Sequence, residues 1–85
     1  MITAWITLRS LYHPNQVDRI EEHLYRQDGV VKDSVYVWYS SKQVVVTFNE
    51  DKLSIDDIII VLEKLGHPIF KLRLSLLRDG AITNP

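Results

Sequence analysis

The chain contains no cysteine. That excludes a disulfide framework, a thiolate metal site and cysteine nucleophile chemistry. Long apolar runs are missing too: the longest, Ile58 to Leu62, falls far short of the roughly 20 residues that cross a bilayer. Neither sign of charge dominates. Ten Lys and Arg stand against eleven Asp and Glu, a net charge of −1, which predicts no strong pull toward nucleic-acid phosphates or an anionic membrane. No basic segment followed by an apolar one opens the chain, so no secretory signal is expected. A cytoplasmic location is the expectation that follows. Internal repeats and low-complexity stretches are also lacking. What remains is 85 residues, 46% of them apolar: one small domain with enough apolar side chain for a real core. A domain of this size buries only about 60–65% of its unfolded surface, so the margin of the core is thin.

Ile2, Ala4, Ile6 and Leu8 alternate with Thr3, Trp5, Thr7 and Arg9, the period of a half-buried strand. Pro14 fits the first turn of a following helix, where its missing N–H would be unpaired anyway. Val17, Ile20 and Leu24 share one face of that helix, and Asp28-Gly29 ends it. Val30 to Tyr39 reads as a second strand, with Val35, Val37 and Tyr39 on one face and Tyr36 and Trp38 on the other. Ser40-Ser41-Lys42 turns the chain into a third strand, Gln43 to Phe48, and the two form a hairpin. Ser54, with Asp57 three residues on, caps a second helix whose buried face is Ile55, Ile58, Val61 and Leu62. Leu65-Gly66 closes it, Pro68 to Leu76 is the last strand, and residues 78–85 read as a flexible C-terminal tail to a domain of residues 1–77. The pattern is βαββαβ: an α+β, ferredoxin-like sandwich of a four-stranded antiparallel sheet with two helices on one face.

From Trp5 to Phe70 the chain resembles the heavy-metal-associated domain family of small copper and zinc carriers. The likeness is carried by Ile6, Leu8 and Leu11, by the helical set Val17, Ile20 and Leu24, and by the turn Asp28-Gly29-Val30. Val44 to Phe48, Leu53 to Ile58 and Leu65-Gly66-His67 complete it. The departures fall on the chemistry. The family's Gly-Met-Thr-Cys-x-x-Cys motif is replaced by Ser10-Leu11-Tyr12-His13-Pro14-Asn15-Gln16, with His13 at the first cysteine position and Gln16 at the second. Val31 to Ser34 is longer than the family's connection by about two residues on this alignment.

Two candidate sites follow. In such a fold the loop of His13 and the loop of His67 lie at the same end of the sheet, so His13 and His67, with Gln16 nearby, form a candidate histidine site. Imidazole suits zinc and copper, and a copper or zinc ion is what the resemblance implies. No carboxylate stands in the loop to orient either ring. The second candidate is the uncovered sheet face. Trp5, Tyr36, Trp38 and Val45 point outward on the strand pattern. If Ile69 stays inward, Phe70, Leu72, Leu74 and Leu76 point out as well and Lys71 and Arg73 sit beneath the helices; a bulge or register change after Phe70 is the alternative. An interaction surface of Trp5, Tyr36, Trp38, Val45, Leu72 and Leu74 is therefore expected, for a protein partner or for self-association as a homodimer. The third strand lacks the basic-glycine-aromatic pattern of an RNA-recognition motif, so no nucleic-acid partner is expected. Neither is a membrane, a small-molecule substrate or an enzymatic activity. No nucleophile–base constellation falls on one site, and Asp56-Asp57 at a helix start is accounted for by the helix dipole.

Overall fold

A computed structural model describes residues 1–76; the expected tail, 78–85, lies outside the described residues, as does Leu77. Six elements follow in order: β1 (Ile2–Leu8), α1 (Asn15–Tyr25), β2 (Tyr36–Trp38), β3 (Gln43–Phe48), α2 (Ile55–Lys64) and β4 (Ile69–Leu76). The strands form one antiparallel sheet in the order β2-β3-β1-β4. This is the ferredoxin-like βαββαβ arrangement. No described helix is long and apolar enough to cross a membrane.

The core lies where the two periodicities meet. Ala4, Ile6 and Leu8 alternate onto the helix side of β1, and Val44, Val46 and Phe48 onto the same side of β3. Against them pack Ile20 and Leu24 of α1 and Ile58 and Leu62 of α2, spaced four apart so that each pair lies on one helical face. The start of α2 is fixed as the sequence indicates. Ser54 Oγ accepts from the Asp57 N–H (3.2 Å), and the Asp57 carboxylate accepts from the Ser54 N–H (3.0 Å). Pro14 precedes α1 with no side-chain cap.

The second strand is shorter than expected. Val30 makes one isolated bridge to Phe48, and the chain then leaves the ladder until Tyr36. Asp33 sits at φ 60°, and the Ser34 N–H closes a turn on the Val31 carbonyl. Ser34 stands in for the missing strand partner. Its Oγ accepts from the Thr47 N–H (3.3 Å) and lies within donating distance of the carbonyls of Val31 (2.6 Å) and Thr47 (3.1 Å). The extra length in this connection is absorbed as a turn whose hydroxyl satisfies backbone groups of β3.

The last strand resolves the open question of register. Leu8 pairs with Ile69 but Thr7 pairs with Lys71, so Phe70 is an extra residue, a bulge. Beyond it Leu72, Leu74 and Leu76 stand opposite Ile6, Ala4 and Ile2, on the helix side, while Lys71, Arg73 and Ser75 take the open face. Leu72 and Leu74 thus do not belong to the open-face set. The bulge reverses the parity, because the alternative would place two cations beneath the helices without partners. These leucines are nevertheless 37%, 47% and 59% exposed: they sit on the edge strand, past the cover of the helices.

Two glycines separate strain from crowding. Gly29 (φ 111°) and Gly66 (φ 90°) both adopt backbone that L-residues avoid. A Cβ on Gly29 would also stand 3.0 Å from the Lys52 Cβ and 3.1 Å from the Leu53 Cβ, whereas one on Gly66 would meet nothing within 4 Å. Gly66→Ala is expected to cost about 1 kcal/mol, and Gly29→Ala clearly more. Equal shifts in urea midpoint for the two variants would show that the contact with Lys52 and Leu53 relaxes freely.

Candidate functional site

The loop between β1 and α1, where the resemblance places the metal motif, is fastened at three points. The Gln16 side-chain oxygen accepts from the N–H groups of both Tyr12 (3.0 Å) and His13 (3.2 Å). The Tyr39 hydroxyl, from just past β2, donates to the Tyr12 carbonyl (2.7 Å). The His67 ring reaches the Ser10 carbonyl through Nδ1 (3.0 Å). A carbonyl oxygen can only accept, so Nδ1 carries a proton, and in the neutral ring the lone pair is then on Nε2. Leu11 anchors the loop in the core beside this end.

The three residues of the expected histidine site therefore stand in different environments. His67 and the His13 loop do meet at one end of the sheet, through the bond to Ser10. His13 is exposed, but His67 is only 3% exposed, an interior residue rather than a loop histidine open to solvent. The Gln16 oxygen, the atom a metal would need, already accepts two backbone bonds. Among the described residues no three His, Asp or Glu side chains gather as a metal cluster. The donor set does not fit a tetrahedral zinc site. His23, read from the sequence as solvated, is half-buried and lines a hollow of about 560 Å³ between α1 and α2, together with Arg19, Asp57, Ile60 and Lys64.

The open face is built in cross-strand rows. One row runs Tyr36, Val45, Trp5, Arg73, and the next runs Trp38, Gln43, Thr7, Lys71. Tyr36 and Trp38 are stacked, with ring centroids 6.0 Å apart and planes at 23°. The Arg73 guanidinium lies over the Trp5 ring, 5.3 Å from its centroid. Both tryptophans and Tyr36 are exposed. Val45 points outward as expected but is only 6% exposed, so it supports its large neighbours rather than offering surface. A shallow hollow of about 370 Å³ lies between Trp5, Thr7, Gln43, Lys71 and Arg73; the backbone of a strand is shared by both faces, and Leu72 borders it too.

Charge is segregated between the two sides of the sheet. The open-face positions of the four strands carry Lys71 and Arg73 and no carboxylate. The helices carry an excess of carboxylates: Asp18, Glu21 and Glu22 against Arg19 on α1, and Asp56, Asp57 and Glu63 against Lys64 on α2. The net charge of −1 conceals this arrangement. The sequence could show it only after the parity of β4 was known, because the two cations change face with the bulge.

No family model and no curated protein matches the chain. Its likeness to solved structures is strong. Oxidized MerP from Ralstonia metallidurans CH34 superposes with a TM-score of 0.73 at 21% identity, over 82% of this chain and 96% of that one. The Cu(I)-loaded N-terminal domain of a potential copper-translocating P-type ATPase from Bacillus subtilis gives 0.72 at 24% identity, over 99% and 98%. Apo-CopP from Helicobacter pylori gives 0.67 at 26% identity, over 80% and 98%. In fold, then, the chain is a heavy-metal-associated-like domain, one that carries no cysteine.

Proposed function

We propose that the chain is a non-enzymatic interaction module of the cytoplasm, whose open sheet face binds a carboxylate-bearing segment of a protein partner. The observation that carries this reading is the composition of that face: Trp5, Tyr36 and Trp38 exposed beside Lys71 and Arg73, with no acidic residue among the strand positions. Aromatics and arginine are the side chains enriched where proteins meet. Two cations are few for phosphate-driven binding of a single strand, which rests on many contacts. Self-association through this face would leave Lys71 and Arg73 of both copies with no carboxylate to answer them, so a partner of opposite charge fits better. The fastening of the β1–α1 loop agrees with this reading, since its polar groups are already engaged in holding the loop.

Trp5 and Trp38 are the two tryptophans of the chain, and both stand on this face, so indole emission reports on it directly. Peptides of matched length, acidic, neutral and basic, each bearing one phenylalanine, are titrated against the protein. The acidic peptide is expected to shift the emission saturably, and to do so more weakly as salt shortens the Debye length below about 8 Å. Arg73→Glu is expected to weaken that binding about tenfold, the scale of one lost charge-assisted contact. An equal response to acidic and basic peptides, or none, sinks the reading.

A second reading is metal carriage of the kind named for the structural relatives, with His13 and His67 as ligands. One observation favours it: the Nδ1–H bond from His67 to Ser10 fixes the tautomer that leaves Nε2 as a donor, the usual support for a metal-binding imidazole. Amide NMR with Zn(II), and anaerobically with Cu(I), would then show changes confined to residues 12–16 and 66–68. His13→Ala and His67→Ala would each abolish them. Shifts that persist in both variants, or no localised change at micromolar metal, dispose of it.

A further inference from the structure

The sheet has two edges of very different character. On one side β2 is three residues long, and short edges are poor templates for pairing. On the other side β4 runs for eight residues, and its six residues past the bulge read Lys71-Leu72-Arg73-Leu74-Ser75-Leu76. No proline or further bulge interrupts them. Lys71, Arg73 and the bulge at Phe70 are guards of the kind that edges carry, but the leucine row between them leaves a long, regular edge suited to pairing.

The direction of its backbone groups follows from the neighbouring ladder. The Leu8 N–H donates to the Lys42 carbonyl on the β3 side, and the Arg9 N–H to the Pro68 carbonyl on the β4 side. Alternation along β1 then turns the backbone groups of Thr3, Trp5 and Thr7 toward β4, and those of their partners Ser75, Arg73 and Lys71 back toward β1. Leu72, Leu74 and Leu76 are left with N–H and C=O aimed at the open edge. Their side chains stand on the helix side, in line with buried Ile6, Ala4 and Ile2, yet remain about half exposed. Among the described residues, the same three thus present unpaired backbone at the edge and an apolar row beside it. On α2, Ile59 is half-buried on the flank opposite the one that faces α1.

We propose that β4 pairs with β4 of a second copy of this chain, antiparallel about a two-fold axis at Leu74, joining two sheets into one of eight strands. Charge rules out two registers, and a third pairs all three leucines within the described strand. An axis at Arg73 would set two guanidiniums face to face, and an axis at Leu72 would set Lys71 against Arg73. An axis at Leu74 pairs Leu74 with itself, Leu72 with Leu76 and Arg73 with Ser75, and no like charges are opposed. It also gives hydrogen-bonded pairs at all three leucines, because the groups that face outward are theirs. The leucine row of each copy then continues the core of the other. This contact is independent of the open-face reading, and it leaves Trp5, Tyr36 and Trp38 uncovered. A strand pair with one leucine row is smaller than the roughly 800 Å² per partner of a standard interface, so the expected dissociation constant is on the order of micromolar.

The absence of native cysteine makes the test clean. Residues paired across a two-fold in a hydrogen-bonded antiparallel pair lie about 5.5 Å apart at Cα, within disulfide range. Under mild oxidation Leu74→Cys is expected to give a covalent dimer, whereas Trp38→Cys, on the open face, is not. Sedimentation of the unsubstituted full chain is expected to show concentration-dependent growth from 9.9 kDa toward twice that mass. Leu74→Lys, an exposed change on an edge, is expected to abolish the growth with thermal stability retained. A chain that stays monomeric at 100-fold above about micromolar concentration overturns the proposal. So does cross-linking by Trp38→Cys but not Leu74→Cys, which would place self-association on the open face. So does a monomer in which the Leu74→Cys thiol resists alkylation, which would mean that the edge is covered from within the same chain.

Discussion

The alternation along β1 imposes itself on the whole sheet, because β1 pairs along its length with β3 on one side and β4 on the other. Ala4, Ile6 and Leu8 enter the core, with Ile2 packed against it on the same side, and this places Thr3, Trp5 and Thr7 on the far side. Neighbouring residues in a ladder share a face. The rows that begin with Trp5 and Thr7 are therefore fixed across all four strands once β1 is fixed. The aromatic character of one face and the aliphatic character of the other are consequences of one strand's pattern. The bulge at Phe70 is the adjustment that keeps β4 consistent with it.

Much of this was legible in the sequence, and for a clear reason. Period-two and period-3.6 patterns are strong in β1, β3, α1 and α2, where one side of each element is buried and the other is not. The capping box at Ser54 and the turn at Gly29 are local chemistry and need no tertiary context. The edges resisted. In β2 and β4 burial is incomplete, so hydrophobicity ceases to report orientation. Leu72 and Leu74 are apolar without being core, and their alternation alone fits either face. Only the pairing of Thr7 with Lys71 decides it. Likewise nothing in the Val30–Tyr39 pattern signals that Ser34 will take over the hydrogen bonding of Thr47, because that exchange joins residues 13 apart.

The histidine pair illustrates a different limit. Topology alone brings the two loops together, and the structure places them so. Which atoms remain available there depends on local bonding that sequence spacing does not encode. Gln16, which the resemblance sets at the second cysteine position, uses its oxygen to close the loop on Tyr12 and His13. That side chain holds the backbone. His67 has likewise become part of the interior while keeping one nitrogen bonded to Ser10. The scaffold stands without thiolates, because the core side chains and the capping box of α2 lie at positions other than 13 and 16.

The excess of carboxylates over Arg19 and Lys64 on the helices, set against Lys71 and Arg73 on the sheet, gives the described residues an electric dipole directed between the helix layer and the open face. In the field of a negatively charged partner such a body experiences a torque before it experiences a net force. It arrives sheet-first, and fewer encounters are lost to wrong orientations. Added salt would then slow association mainly by randomising the approach.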